Sequence, residues 1–229
     1  ALAVVYPQAG NIGGGGFALV HDGETGEVSA LDFRETAPLS ATETMYQDSL
    51  GELIKDASLL GAKAAGVPGT VAGLRALWET HGTLPWEELV RPAAVLADTG
   101  FVVDSALAKD LASHRQDLCK FEGSCAAFFP GGRELQPGQK LQLPDLAGTL
   151  FAVAAEGVDG FYTGRTAEKI MATMARYDGL IGIEDLAGYE VVWRDPVHFE
   201  FDGHDVYSMP PPSSGGTAMG QILKLLEPM

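Results

Sequence analysis

Basic residues are scarce in this chain: 15 Lys and Arg stand against 31 Asp and Glu, a formal net charge of −16 over 229 residues. No Lys/Arg cluster offsets that balance anywhere, so nucleic acid and anionic membrane surfaces are excluded as partners. Long apolar runs are also missing, and none approaches the roughly 20 residues that cross a bilayer. No signal peptide is visible either, but that absence carries little weight. The chain opens with Ala1-Leu-Ala-Val-Val-Tyr-Pro7, which reads as the tail of an apolar helix or strand, so a preceding segment is expected. Cysteine is limited to two residues, Cys119 and Cys125, in Cys-Lys-Phe-Glu-Gly-Ser-Cys. Two thiols with no His pair at metal spacing fall short of a zinc site, and no metal is expected. A short disulfide in an oxidising compartment and two free thiols in a cytosolic one both remain open; Gly123 favours the disulfide by letting so tight a loop close. The five histidines (His21, His81, His114, His198 and His204) show neither H-E-x-x-H nor i,i+4 pairing.

What is present is an ordinary globular composition, 46% hydrophobic and spread along the whole chain. Disorder is excluded, and the length suits one large domain, or part of one, over residues 1–229. Residues 17–34 read as a β-hairpin about the turn His21-Asp-Gly-Glu-Thr-Gly-Glu27. In its second strand Leu31 and Phe33 share one face, and Asp32 and Arg34 the other, so Arg34 ends a strand on its polar side. A helix is expected over 69–82, with Val71, Leu74, Leu77 and Trp78 apolar and Gly82 as the stop. Another is expected from Pro85 to Thr99, with Leu89, Ala93, Val95 and Leu96 inward and Gly100 at its C-terminal cap. Asp104 is expected to cap a third helix running to about Leu118. Residues 119–143 read as a loop excursion, followed by helices near 146–156 and 166–176. Glu190–Phe201 reads as a strand and His204–Ser208 as its hairpin partner. Gly216–Leu226 closes the chain as a helix, apolar at Met219, Ile222, Leu223 and Leu226. Strands at both ends with helices grouped between them give an α+β class.

Three stretches invite a chemical reading. Gly10-Asn-Ile-Gly-Gly-Gly-Gly-Phe17 has no adjacent Lys, is followed by a strand, and fails the dinucleotide spacing at Ala18. A close backbone crossing, where side chains do not fit, explains it better. Arg34-Glu-Thr-Ala-Pro38 has two readings. One is a solvated charge paired with Asp32 or Glu35, worth little. The other is a bidentate clamp on a carboxylate, which a planar guanidinium provides and Lys does not. Pro210-Pro-Pro-Ser-Ser-Gly-Gly216 lacks a G-x-S-x-G elbow, and Lys224 is not at Ser-x-x-Lys spacing. A rigid polyproline approach with Ser214 as helix cap accounts for it.

These stretches, in order, resemble the γ-glutamyltranspeptidases. The resemblance runs from Tyr6-Pro-Gln and Gly13–Phe17 through Leu31-Asp-Phe-Arg-Glu-Thr-Ala-Pro38, Gly66-Val-Pro-Gly-Thr-Val-Ala-Gly73 and His81-Gly-Thr-Leu-Pro-Trp86. It continues through Pro92-Ala-Ala, Ala97-Asp-Thr-Gly-Phe101, Gly160-Phe-Tyr-Thr-Gly164, Glu184-Asp-Leu-Ala-Gly-Tyr189 and Met209–Gly216. It implies part of an αββα sandwich of the N-terminal-nucleophile hydrolase type, made as a self-cleaving precursor. The nucleophile is then a Thr at the start of a light subunit, with its own α-amine as base. By the same resemblance Arg34 grips the α-carboxylate of the γ-glutamyl group, no cofactor is needed, and the compartment is periplasmic or extracellular.

The Thr-Thr/Ser-His-x-Ser-Val-Val-Asp pattern that opens the light subunit is absent, so no catalytic residue is expected in this chain and alone it should be inert. The expected partners are that light subunit and small γ-glutamyl substrates. The chain also stops, at Glu227-Pro-Met229, before the family's heavy subunit does, which should leave apolar positions such as Ile222 and Leu226 uncovered. A cephalosporin acylase, a poly-γ-glutamate depolymerase and a non-catalytic framework fragment are the alternatives.

Overall fold

The structure, a computed structural model, describes residues 1–227; Pro228 and Met229, in the expected stop, lie outside the described residues. The opening apolar run is a short helix, α1 (Leu2–Val5). The hairpin forms as expected from β1 (Gly16–His21) and β2 (Val28–Phe33), in register from Gly16 opposite Phe33 to His21 opposite Val28. Its turn is held by Asp22, whose Oδ1 accepts from the backbone N–H groups of Glu24 and Thr25 at 2.8 and 2.9 Å.

The helices are α2 (Thr70–His81), α3 (Trp86–Thr99), α4 (Ser105–Ser113), α5 (Arg115–Leu118) and α6 (Glu122–Phe128), with the short strand β3 (Phe101–Val102) after α3. Helix α2 ends at Gly82 and α3 at Gly100, whose φ of 81° suits glycine. Leu74 is exposed, against expectation. The inward face of α3 also differs: Leu89 and Val95 are exposed, while Trp86, Ala93, Ala94 and Ala97 are buried. Small alanines let α3 lie close to the later helix α7, and that close packing outweighs the burial of two larger side chains.

Asp104 caps α4 as expected, its Oδ1 accepting from Leu107 N at 2.8 Å. The helix breaks at His114 rather than running on to Leu118. There the Ser113 hydroxyl donates to the Asp110 carbonyl at 2.8 Å and the His114 ring reaches the same oxygen at 2.9 Å, crowding the next turn's acceptor.

The 119–143 excursion is more ordered than its composition implies. It contains α6, a 3-10 turn and β4 (Lys140–Leu141), which pairs with β3. Phe129, Leu135, Leu141 and Leu143 are buried in one core with α3 and α4, so apolar anchors override the turn-forming composition. Cys119 and Cys125 form a disulfide joining α5 to α6.

Then follow α7 (Pro144–Glu156), α8 (Asp159–Tyr162), α9 (Gly164–Arg176) and α10 (Ile183–Ala187). Val67, Val71, Phe161 and Leu186 centre a second core, and Ile12 and Val90 pack against both cores. The single strand expected over 190–201 is two: β5 (Val192–Arg194) and β6 (Val197–Phe201). Pro196 has no N–H for a ladder, and the segments take different partners across it. Strand β5 pairs with β2, giving the order β1-β2-β5, while β6 pairs with β7 (His204–Ser208) as expected.

Helix α11 (Gly215–Leu226) packs on the β6–β7 hairpin. Ser214 occupies its N-cap position but makes no side-chain cap bond, contrary to expectation. Its backbone (φ −79°, ψ −17°) is already helical, whereas a capping residue needs an extended conformation. Ile222, Leu225 and Leu226 are exposed.

Candidate functional site

Four distant segments converge on the end of β2. The glycine run crosses it directly: a Cβ on Gly15 would lie 2.5 Å from Phe33 O and 2.7 Å from Glu35 N. No residue with a side chain fits there, which is the close crossing expected from the sequence. Gly14 O in turn accepts from Gly69 N and Thr70 N at 2.9 and 3.0 Å, tying the run to the start of α2. On the α2 side, a Cβ on Gly69 would overlap the Phe33 carbonyl and the Tyr189 hydroxyl, and one on Gly73 would overlap the Phe33 ring. Phe33 thus sits in a slot that glycines leave open. Beyond it, Thr36 and Val67 exchange backbone hydrogen bonds of 3.3 and 2.8 Å, and Leu39 N donates to the buried Asp185 Oδ1 at 2.7 Å.

Arg34 lies in the middle of this clamp, just past the last strand residue. Its N–H donates to Asp32 Oδ1 at 3.1 Å, and its carbonyl accepts from the Tyr189 hydroxyl at 2.8 Å. Burial first, and then the charges of Asp32 and Glu35, push the Tyr189 hydroxyl up to about 12, so it remains a donor at neutral pH. The backbone is therefore fixed on both sides while the side chain is exposed. The guanidinium carbon stands 5.9 Å from the Phe17 ring centroid, at the outer limit of a cation–π contact.

The surface pair of Arg34 with Asp32 or Glu35 does not form. Asp32, only 8% exposed, is instead taken by Arg194, whose Nε and Nη2 both lie 2.9 Å from Oδ2. Among the described residues no carboxylate lies within ion-pair distance of Arg34. Nor is the face bearing Asp32 and Arg34 simply polar: Phe17, Leu19 and Val192 share it, and Ala30 beneath is fully buried.

The third stretch is separate from this site. Pro210–Gly216 leads from β7 into α11, with Gly216 packed against Met209 O and Ser208. Among the described residues no His or carboxylate hydrogen-bonds Ser213 or Ser214, and no group of three or more His, Cys, Asp or Glu converges on a metal-sized site. Arg194 went unrecognised in the sequence, where 162 residues separate it from Asp32 and no local pattern marks it.

Over residues 1–229 the sequence matches the gamma-glutamyltranspeptidase family. The chain belongs to that family. It is 46% identical to the glutathione hydrolase proenzyme of Escherichia coli K12, over 99% of this chain and 39% of that protein. The crystal structure of Helicobacter pylori gamma-glutamyltranspeptidase superposes with a TM-score of 0.98 at 45% identity, covering all of this chain and 66% of that one. A cephalosporin acylase from Bacillus halodurans superposes with a TM-score of 0.80 at 28% identity, over 92% of this chain and 40% of that one. The α+β class and the partial sandwich of N-terminal-nucleophile hydrolase type are met by these likenesses. The chain spans about two fifths of the length of the curated gamma-glutamyltranspeptidase relatives it matches.

Proposed function

We propose that this chain, one incomplete domain over residues 1–229, is the large-subunit part of an enzyme that cleaves γ-glutamyl amides such as glutathione. The γ-glutamyl group passes through an acyl-enzyme to water, an amino acid or a peptide. The nucleophile is a Thr on a light subunit from the same precursor, its α-amine removing the hydroxyl proton as the oxygen attacks the amide carbon. In this reading Arg34 binds the substrate α-carboxylate, and Arg34 with the light subunit encloses the pocket.

One observation carries the reading: Arg34 is held by its backbone, while its side chain is exposed and forms no ion pair with a carboxylate of the described residues. A planar donor fork in that state fits a carboxylate ligand bidentately. The Cys119–Cys125 disulfide supports a periplasmic or extracellular site of action. No helix among the described residues is long and apolar enough to cross a membrane.

In the complete two-chain protein, Arg34→Ala should cost about 2 kcal/mol of binding, a roughly 30-fold rise in KM for glutathione. Arg34→Lys should recover only part of it, because an ammonium cannot bind both carboxylate oxygens in one plane. A KM unchanged in both variants removes Arg34 from the site.

A further inference from the structure

Asp32 is on β2, and Arg34 lies two residues on, just past the end of the strand, where its guanidinium carbon stands 5.9 Å from the ring of Phe17, the residue opposite Asp32. A carboxylate as buried as Asp32 needs a counter-charge or enough hydrogen-bond donors, and removal of its charged partner leaves a costly unpaired ion. Two guanidinium groups are placed to supply it. Arg34 follows two residues later, just past the end of β2, and already donates its backbone N–H to Asp32 Oδ1. Arg194 comes from β5, where the register sets Val192 opposite Asp32 and Arg194 opposite Ala30. Arg194 is therefore the diagonal neighbour of Asp32, within reach of a long side chain. The methyl group of Ala30 leaves its guanidinium room to lean over the carboxylate, where Nε and Nη2 both meet Oδ2 at 2.9 Å.

We propose that Arg194 is a positioning residue for Arg34: by occupying Asp32 it denies Arg34 an internal ion pair and keeps that guanidinium free for the ligand carboxylate. The inference rests on the reading of Arg34 as the carboxylate clamp. Without Arg194, Asp32 is left buried and unpaired two residues from Arg34, whose backbone N–H it already holds. The two then pair, and a substrate carboxylate has to displace Asp32 in order to bind.

The test uses the complete two-chain protein and steady-state kinetics on glutathione and a chromogenic γ-glutamyl anilide. Arg194→Met should raise KM about tenfold, the scale of coupling between contacting charged residues, with a smaller change in kcat. Asp32→Asn added to Arg194→Met should return KM to near the parent value. Asn still accepts from Arg34 N but carries no charge to compete. Arg194→Lys should stay near the parent, since a point charge also satisfies Asp32. Should Arg194→Met fail to fold, Arg194→Gln keeps a donor on Oδ2 without the charge and carries the same expectation. A loss of kcat with KM unmoved, or no rescue by Asp32→Asn, makes Arg194 a structural tie and overturns the inference. Arg34→Ala without effect overturns the clamp reading itself, together with what rests on it. Arg34→Ala with raised KM beside a silent Arg194→Met overturns the inference alone.

Discussion

Gly73→Ala sets two effects of opposite sign against each other at the one helix contact that fixes Phe33. Alanine in a helix interior is favoured over glycine by about 1 kcal/mol. The new methyl, however, would overlap the Phe33 side chain at Cβ, Cγ and Cδ1, atoms close to the strand backbone that no rotamer change carries away. Phe33 is 8% exposed and has no free space to enter. Overpacking of that kind costs about 1–3 kcal/mol, and more where backbone has to shift. So close an approach of the methyl to Phe33 Cγ puts the cost at the upper end of that range, so the net expectation is a loss of about 2 kcal/mol after the propensity gain is counted. Gly148 provides the internal control. It lies in the second turn of α7 as Gly73 does in α2, is exposed, and a methyl group added there would meet nothing within 4 Å. Gly148→Ala should therefore raise stability by about 0.5–1 kcal/mol. Urea midpoints of the two variants of the complete protein measure the difference directly. Gly73→Ala should also raise KM for glutathione, because displacing Phe33 displaces Arg34 beside it. If Gly73→Ala matches or exceeds the parent midpoint, the steric account of the slot is wrong.

Helix caps give a second pair of expectations. Asp104→Ala should cost about 1 kcal/mol, since Asp104 satisfies Leu107 N, while Ser214→Ala should lie within about 0.5 kcal/mol of the parent because Ser214 makes no side-chain cap bond. Equal losses in urea titration would refute the distinction. At alkaline pH, Tyr189 keeps its proton to about 12 in the folded state, against 10.0 ordinarily. Its contribution is complete below pH 10 and is lost as pH rises towards about 12, because the unfolded chain ionises first. Tyr189→Phe should flatten that part of the alkaline decline while lowering stability at neutral pH through the lost bond to Arg34 O. An unchanged alkaline slope would count against the burial of Tyr189.

The hairpin, α2, the Asp104 cap and the β6–β7 pair were legible because each is specified within a few residues, by turn chemistry or period. The inward face of α3 was not. Periodicity weights large apolar residues, and here alanines take the core side because a facing helix comes close. The break of 190–201 at Pro196 was available in the sequence, yet only the partner strands show that the halves belong to different sheets. Residues 119–143 carry loop composition, and the burial of Phe129 and Leu141 depends on a core assembled from α3 and α4. At the site, the glycine run was marked by its own letters, and Arg34 by its letters once the family resemblance was added. Arg194 was not, because its meaning comes from the register between β2 and β5.

That register bears on how tightly Arg34 can hold a ligand. A flexible arginine on a loop would have to order both its backbone and its side chain on binding. Here the backbone of Arg34 is ordered in advance by Asp32 on one side and Tyr189 on the other, with Gly15 and Gly69 closing in behind. Only the side-chain rotamers remain to be fixed, at about 0.5–1.5 kcal/mol for a residue of this type. The same face carries Leu19 and Val192, which are 43% and 44% exposed, so closing a second layer over it would also strip water from the guanidinium. A charge-assisted pair strengthens as its surroundings lose water, provided no internal carboxylate has neutralised it first. Under the proposed clamp Arg194 meets that condition, and the residue missed in the sequence would then set the strength of the one that was found.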